Sequence, residues 1–233
     1  MKEKTVGIIG GMGPEATCDL MMRVIRATPA EDDADHIRMV VDNNPKVPSR
    51  IKALIEGTGE SPVACLTDMA QKLAAWGADF LAIPCNTAHY YYEDIKKAVS
   101  IPVLDMIALT TAAVLSAQPK IRRVGLLAST AVHMTQLYEK RFAQRGVQLV
   151  CPDGDDQQAL MAVIRQIKTC IYDEGPNTTL QRIARNLTAK NAEALIIACT
   201  ELSVIGEGLD QGVPIYDASQ VLARKIVETA KGG

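Results

Sequence analysis

The sequence predicts an α/β fold of two similar domains, and two observations carry this prediction. Short aliphatic runs, such as residues 6–9 and 80–83, lack polar alternation and are separated by helical stretches. Runs of this kind are typical of parallel strands covered by helices on both faces of the sheet. In addition, landmarks of the first half recur in the second half in the same order, so each half predicts one domain.

The internal repeat has three matched landmarks. KTVGIIGG corresponds to RRVGLLAS, FLAIPCNTAH corresponds to ALIIACTELS, and IPVLDM corresponds to VPIYDA. We therefore expect an N-terminal domain at residues 1–104 plus 215–233 and a C-terminal domain at residues 105–214. If the two domains are related by pseudo-twofold symmetry, the two cysteine-containing corners meet across one cleft.

The individual elements follow from the same patterns. Pro14 suits a first helical turn, where its missing N–H costs nothing, and it opens a predicted helix over 14–28. Further helices are predicted over 61–75 and 177–189. Strands are predicted, in chain order, at 6–9, 37–41, 80–83, 103–104, 124–127, 148–150, 194–197 and Ile215. Since ligands of open α/β sheets bind beyond the carboxyl ends of the strands, function is expected there.

Composition excludes several classes of function. Hydrophobic residues make up 48% and charged residues 22% of the 233 residues, as in an ordinary globular protein. The formal net charge of -2 gives no general attraction for nucleic acid or anionic membranes. The N-terminal stretch lacks the features of a signal peptide, and no apolar run approaches the length of a membrane span. We expect a cytoplasmic protein whose six cysteines are free thiols.

Two cysteines repeat one local arrangement. Cys85 and Cys199 each follow a predicted strand and precede a segment that can open a helix. The amides and dipole of a helix N-terminus stabilise a thiolate, so such a cysteine can act as a base or, as the thiol, an acid. Two of them on opposite faces of a carbon atom can remove a proton on one side and return one on the other. Because this strand–cysteine–helix arrangement occurs twice, an acid/base pair is favoured over two buried packing cysteines. The other four cysteines are interpreted as packing residues.

A glycine-rich turn, GGMGPEAT, links the first strand to the first helix and contains Met12, a candidate substrate contact. It matches G-x-G-x-x-A, the dinucleotide fingerprint. The acidic residue expected about 20 residues later would end the second strand, but that distance falls in a polar loop. A cradle for an anion or carboxylate is therefore favoured, with a purely structural turn as the alternative.

Further polar residues follow strands or lie on helices. VVDNNPKVPSR leaves a strand with Asn44 and ends in Arg50, which can hold a carboxylate bidentately or be a solvated surface residue. Thr130 occupies the strand end equivalent to the glycine turn and can donate to a ligand. Lys168 lies on an amphipathic helix, where position alone favours a solvated lysine. His89 and the following tyrosines are interpreted mainly as helix surface and packing.

Several motifs, in this order, resemble those of the aspartate/glutamate racemase family and its aspartate racemase branch: IIGGMGPEAT, DNNPKVPSR, PCNTAH, the IK of RQIKTCIYDEG, and ACTEL. The resemblance spans essentially the whole chain. It implies two α/β domains with roughly four-stranded parallel sheets and an active site between them. It also implies an often homodimeric enzyme that uses neither pyridoxal phosphate nor a metal. Glutamate racemases proper have D-S-G and C-T-H where this chain has Gly10-Gly11-Met12 and Cys199-Thr200-Glu201.

The resemblance also implies residue roles. Cys85 and Cys199 take the positions of the acid/base pair, and Arg50 and Lys168 those of the residues that hold the acidic side chain. The substrate's α-carboxylate and α-amino group fall to Asn86, Thr87 and Thr200. Other superfamily isomerases, including broad-specificity amino-acid racemases, hydantoin racemases and maleate isomerases, stay open as alternatives. A non-catalytic carboxylate- or nucleotide-binding protein is the alternative from another class.

Overall fold

The computed structural model describes residues 3–171 and 173–232 and divides into two compact units. The first contains the described residues up to Met106 together with those from Ser219 onward, and the second is Ile107–Ala218. Each junction coincides with the start of a helix, at Met106 and at Ala218. The boundaries expected from the sequence lie slightly earlier, at 104/105 and 214/215.

The first unit alternates strands and helices. Pro14 opens the first helix without a side-chain cap, as expected for proline at this position. A π-helix covers Lys52–Glu56 and 3-10 helices cover Asp33–Asp35 and Thr87–Tyr91. The strands are β1 (Val6–Gly10), β2 (Met39–Asn43) and β3 (Phe80–Ala82), and the helices are α1 (Pro14–Ala27), α2 (Val63–Ala75), α3 (Tyr92–Lys97) and, from Ala218 onward, the C-terminal helix.

The first sheet has three parallel strands in the order β2-β1-β3, and Val103 adds a single parallel bridge to Leu81. The expectation of a fourth full strand is therefore wrong for this unit. At this bridge the Leu81 N–H donates to the Pro102 carbonyl at 2.8 Å, and the Leu81 carbonyl accepts the Leu104 N–H at 2.8 Å.

The second unit has the expected four parallel strands, in the order β5-β4-β6-β7. The α/β class and the repeated strand order of the two halves are thereby confirmed. Its strands are β4 (Arg123–Ala128), β5 (Gln148–Val150), β6 (Ala194–Ala198) and β7 (Ile215–Asp217). Its helices are α4 (Met106–Ala117), α5 (Thr130–Thr135), α6 (Glu139–Ala143), α7 (Gly154–Ile167), α8 (Gly175–Ala189) and α9 (Thr200–Ile205). The C-terminal helix of the first unit is α10 (Ala218–Lys231).

Aliphatic side chains fill both cores, as the low aromatic content of 4% requires. All five residues of β1 and all five of β6 are buried, which explains why these strands show no polar alternation. None of the helices in the described part of the chain is long and apolar enough to cross a membrane.

The turn after β1 is held against the loop after β2. Gly11 has a φ of +90°, and a Cβ on it would lie 2.2 Å from backbone atoms of Asn44. The Gly11 N–H donates to Thr17 Oγ1 at 2.9 Å, and that hydroxyl donates to the Gly13 carbonyl at 3.1 Å. Only glycine fits this position, because the backbone conformation and the close approach both exclude a side chain.

We expect Gly11→Ala to lower the free energy of unfolding by about 2–4 kcal/mol, since it combines backbone strain with a backbone clash. Urea denaturation measures the effect. Gly154 is the matched control, because it opens α7 with no atom within 4 Å of an added Cβ. Gly154→Ala should change the stability by less than about 1 kcal/mol. Equal stability of Gly11→Ala and wild type would contradict the close packing of this turn.

Candidate active site

In each unit, the residues predicted to act lie near the carboxyl edge of the parallel sheet. In the first unit Gly10 and Asn43 end neighbouring strands and are paired in register, and Cys85 follows the third strand of the sheet. In the second unit Ala128 and Ala198 are paired at the ends of β4 and β6, directly before Ser129 and Cys199. This edge is where open α/β sheets bind ligands.

Cys85 is buried, with 6% of its surface exposed, and a histidine fixes the backbone around it. His89 Nε2 accepts the Met106 N–H at 3.1 Å, so the neutral ring carries its proton on Nδ1. That Nδ1–H donates to the Cys85 carbonyl at 2.8 Å. Of the interpretation of His89 as helix surface and packing, the packing part fits this structure, because His89 is buried and stacks on Tyr92 at 6.1 Å. His89 thus ties the cysteine corner to the start of α4.

Arg50 is oriented by its own loop. Its Nη1 donates to the carbonyls of Val47 at 3.3 Å and Pro48 at 3.1 Å. Its Nε is buried without a hydrogen-bond partner among the described residues. Burial raises the pKa of the nearby Tyr91 phenol, and the Arg50 charge partly opposes this rise. A positioned guanidinium that still has donors available is suited to receive a carboxylate.

Met12 and Asn44 support the first unit from within. Met12 is 2% exposed and belongs to the same cluster of buried residues as Val47 and Cys85. The Asn44 side chain accepts the Lys46 N–H at 2.9 Å, and its Nδ2 lies 3.5 Å from Cys65 Sγ on α2. In this structure Met12 packs in the core and the Asn44 amide shapes the loop.

Cys199 belongs to a polar network in the second unit. It is 7% exposed and caps the N-terminus of α9, as the strand–cysteine–helix pattern predicted. Its Sγ donates to Glu201 Oε2 at 3.1 Å, and Lys168 forms an ion pair with Glu201 Oε1. The Glu201 side chain is 7% exposed, so its charge requires these partners. Lys168 caps the C-terminus of α7 and is about one-third exposed.

Four further candidates lie beside these centres. Thr200 opens α9 and is buried, and Thr130 opens α5 with its N–H pointing at Met161 Sδ at 3.3 Å. Gln157 holds the start of α5 by donating to the Ala128 carbonyl at 3.1 Å. Asn86 and Thr87 follow Cys85 directly and lead into the 3-10 helix, with Asn86 buried.

The other cysteines only partly match their interpretation as packing residues. Cys65 and Cys151 are partly buried, but Cys18 and Cys170 are exposed. Cys18 lies off the buried stripe of α1, and Cys170 has a φ of +55° in the turn after α7. These two exposed thiols are therefore not core residues.

Two residues of these networks, Glu201 and His89, were not predicted as site residues. In the sequence, Glu201 stands out only as a departure from C-T-H. The signal that identifies it is an acidic side chain that has to be buried, two residues after the cysteine, on a six-residue helix.

Comparison with known proteins identifies the family of the chain. A profile of the family described as Asp/Glu/Hydantoin racemase matches residues 9–226. The broad specificity amino-acid racemase RacX of Bacillus subtilis is 29% identical over 228 residues, covering 96% of this chain and 97% of that protein. The aspartate racemase of Picrophilus torridus is 31% identical with a TM-score of 0.87, covering 98% of this chain and 94% of that chain. Glutamate racemase isoform RacE1 of Bacillus anthracis shares the fold, with 20% identity, a TM-score of 0.69, and coverage of 100% of this chain and 84% of that chain.

The fold of two parallel sheets flanked by helices, shared over 98% of this chain with an aspartate racemase, is that of the two-domain α/β racemases. The chain belongs to the Asp/Glu/hydantoin racemase family. The predicted family and the predicted enzyme class, a racemase, are confirmed.

Proposed function

We propose that this protein racemises an acidic amino acid, aspartate or glutamate, with Cys85 and Cys199 as the acid/base pair and without pyridoxal phosphate. The observation that carries the proposal is the repeated cysteine. Each is buried, and each stands beyond the carboxyl end of the third strand of its half. One thiolate removes the α-proton while the opposite thiol protonates the other face, and the reverse reaction exchanges these roles.

The chemistry requires strong stabilisation of developing charge. An α-proton of an amino acid is only weakly acidic, so the site must supply preorganised donors and exclude water. Asn86, Thr87 and Thr200 are proposed to bind the substrate's α-carboxylate and α-amino group, with Thr130 and Met12 completing the pocket. Asn86 and Thr200 are both at most 2% exposed, which suits donors that act in a dry site.

Two cationic side chains support an acidic substrate. Arg50 keeps a buried Nε without a partner among the described residues, and Lys168 is held by Glu201. We infer that they receive the side-chain carboxylate, with Asn44 shaping the loop that carries Arg50. Binding energy at this remote group can be used to hold the reacting carbon in its strained arrangement.

The decisive test is solvent exchange. The purified chain is incubated with L-aspartate, and separately with L-glutamate, in D₂O without added cofactor. Proton NMR follows loss of the α-proton, and chiral chromatography follows the D-isomer. Exchange with inversion for either acid supports the proposal and identifies the substrate. Exchange without formation of the D-isomer means that protons are transferred on only one face of the α-carbon. Absence of exchange for both acids refutes the proposal of an acidic substrate.

Arg50→Met should raise KM for the acidic substrate by about ten- to a hundredfold, because a charged hydrogen bond is worth about 1.5–3 kcal/mol. Initial rates over a range of substrate concentrations measure this. Arg50 suits the test better than Lys168, whose removal leaves the buried Glu201 charge without its cation. Arg26, on the exposed side of α1, supplies the control variant Arg26→Met, for which no change is expected. An unchanged KM in Arg50→Met would refute the carboxylate-binding role.

A broad-specificity amino-acid racemase is the second candidate, favoured by the match to RacX over 96% of this chain. The Arg50→Met variant separates the two. If the protein accepts neutral amino acids, their KM should be unaffected by the substitution, while KM for acidic ones rises. If neutral amino acids fail to exchange in wild type, the broad specificity is refuted.

We propose further that the protein is a cytoplasmic homodimer. A two-thiol site works only with reduced cysteines, which the cytosol maintains, and all six cysteines are free thiols here. The homodimer is proposed from the resemblance to the aspartate racemase branch. Light scattering coupled to gel filtration distinguishes a dimer from a monomer.

A further inference from the structure

Three residues with metal-binding side chains converge in the second unit, outside the predicted site residues. His133 lies in α5, Glu139 opens α6, and Cys151 directly follows β5. A ring nitrogen, a carboxylate oxygen and the sulfur lie within 4.8 Å of one another. The sequence contains no spacing signal for this cluster, because its residues are separated by up to 18 positions and lie on three elements.

As a hydrogen-bond network this cluster is poorly satisfied. His133 Nδ1 lies 3.4 Å from Glu139 Oε1 and 3.5 Å from Cys151 Sγ. The first distance exceeds the range of about 2.7–3.2 Å for a good N–H···O bond, and one N–H cannot serve both acceptors well. His133 Nε2 and Glu139 Oε2 are buried without a hydrogen-bond partner in the described part of the chain. Buried polar groups in this state require an explanation.

The same distances suit metal coordination. Zinc binds nitrogen and oxygen at about 2.0–2.2 Å and sulfur at about 2.3 Å, so tetrahedral angles place N and O roughly 3.3 Å apart and N and S roughly 3.5 Å apart. The observed 3.4 and 3.5 Å match these values. A catalytic triad fits less well, because its cysteine and carboxylate contact opposite ring nitrogens of the histidine, whereas here both contact Nδ1.

We propose that His133 Nδ1, Glu139 and Cys151 Sγ form a three-ligand zinc site whose fourth position is taken by water. A thiolate, an imidazole and a carboxylate together select zinc over calcium or magnesium, which prefer oxygen ligands. The His133 and Glu139 side chains are 17% and 27% exposed, which leaves a path for the ion. The ion would join α5, α6 and the end of β5. This site is independent of the proposed racemisation.

Cobalt titration tests the site directly, because a tetrahedral Co²⁺–thiolate centre has visible d–d bands and a near-ultraviolet charge-transfer band. The full chain is used with Cys85→Ser and Cys199→Ser, so that thiols of the proposed active site do not contribute. We expect one equivalent of Co²⁺ to bind with both features and to be displaced by Zn²⁺. Adding Cys151→Ser should abolish the charge-transfer band, whereas Cys18→Ser, at an exposed cysteine, should leave it unchanged.

A second variant distinguishes the loss of a metal ligand from a failure to fold. Glu139→Gln preserves side-chain shape and the thiol, so the charge-transfer band should remain while Co²⁺ affinity falls at least about tenfold. Zn²⁺ should raise the melting temperature of the starting variant, because an ion that binds the folded chain stabilises it. Absence of a cobalt band, a band that persists in Cys151→Ser, or equal affinity in Glu139→Gln would each overturn the proposal.

Discussion

Replacing either Cys85 or Cys199 with serine should reduce racemisation at least about a hundredfold, because a positioned acid or base contributes about 10²–10⁴ to the rate. A serine hydroxyl is nearly isosteric with the thiol but is not ionised near neutral pH, so it supplies no base. Both cysteines are buried, with 6% and 7% exposure, and neither forms a disulfide. The loss should therefore be chemical rather than structural. Chiral chromatography of the product measures it.

The same variants in D₂O test whether each cysteine serves one face of the substrate's α-carbon. Each single variant keeps one thiol, so it should still exchange the α-proton of one enantiomer slowly, without inverting it. The two variants should retain opposite enantiomers. That pattern would also assign each cysteine to the enantiomer it deprotonates.

Matched controls exist in both units. Cys18→Ser, in the first unit, and Cys170→Ser, in the second, change exposed thiols and should keep wild-type rates. Wild-type turnover in both active-site variants would refute the two-cysteine mechanism. A binding protein without catalysis predicts that ligand affinity survives in both variants and that wild type shows no exchange at all.

The positions of the cysteines could be predicted from the sequence because the signal is local. An apolar run that ends in Pro-Cys or Ala-Cys identifies the carboxyl end of a buried strand, and Cys199 indeed caps the following helix. The same reasoning predicted four strands for the first sheet, which has three. On the side where the repeat suggested a fourth strand, the sheet has only one bridge, between Leu81 and Val103.

The contacts of the site could not be predicted in the same way. Lys168 and Glu201 are 33 positions apart and lie at the end of one helix and in the first turn of another. Their pairing depends on how α7 and α9 pack, which no periodicity records. The contacts of His89 depend on packing in the same way, because its Nε2 accepts the N–H of Met106, which is 17 positions away.

Glu201→Gln should lower kcat about ten- to a hundredfold, the value of one charge-assisted hydrogen bond. The carboxylate accepts the Cys199 S–H at 3.1 Å and pairs with Lys168. The amide keeps the shape of the side chain but removes the charge that orients both partners. Steady-state kinetics with each enantiomer measures the effect, and Glu207→Gln, at an exposed residue of the following loop, is the control.

Thermodynamics constrains the outcome of this substitution. L and D enantiomers have equal free energy, so kcat/KM must fall by the same factor in both directions. A difference between the two enantiomers must therefore appear in another quantity, because Glu201 contacts Cys199 and the substitution leaves Cys85 unchanged. With α-deuterated substrates, the isotope effect on kcat/KM should rise more for the enantiomer whose proton Cys199 removes, since that transfer becomes more rate-limiting. Equal changes for both enantiomers would indicate a structural role for Glu201 and would refute its action through Cys199.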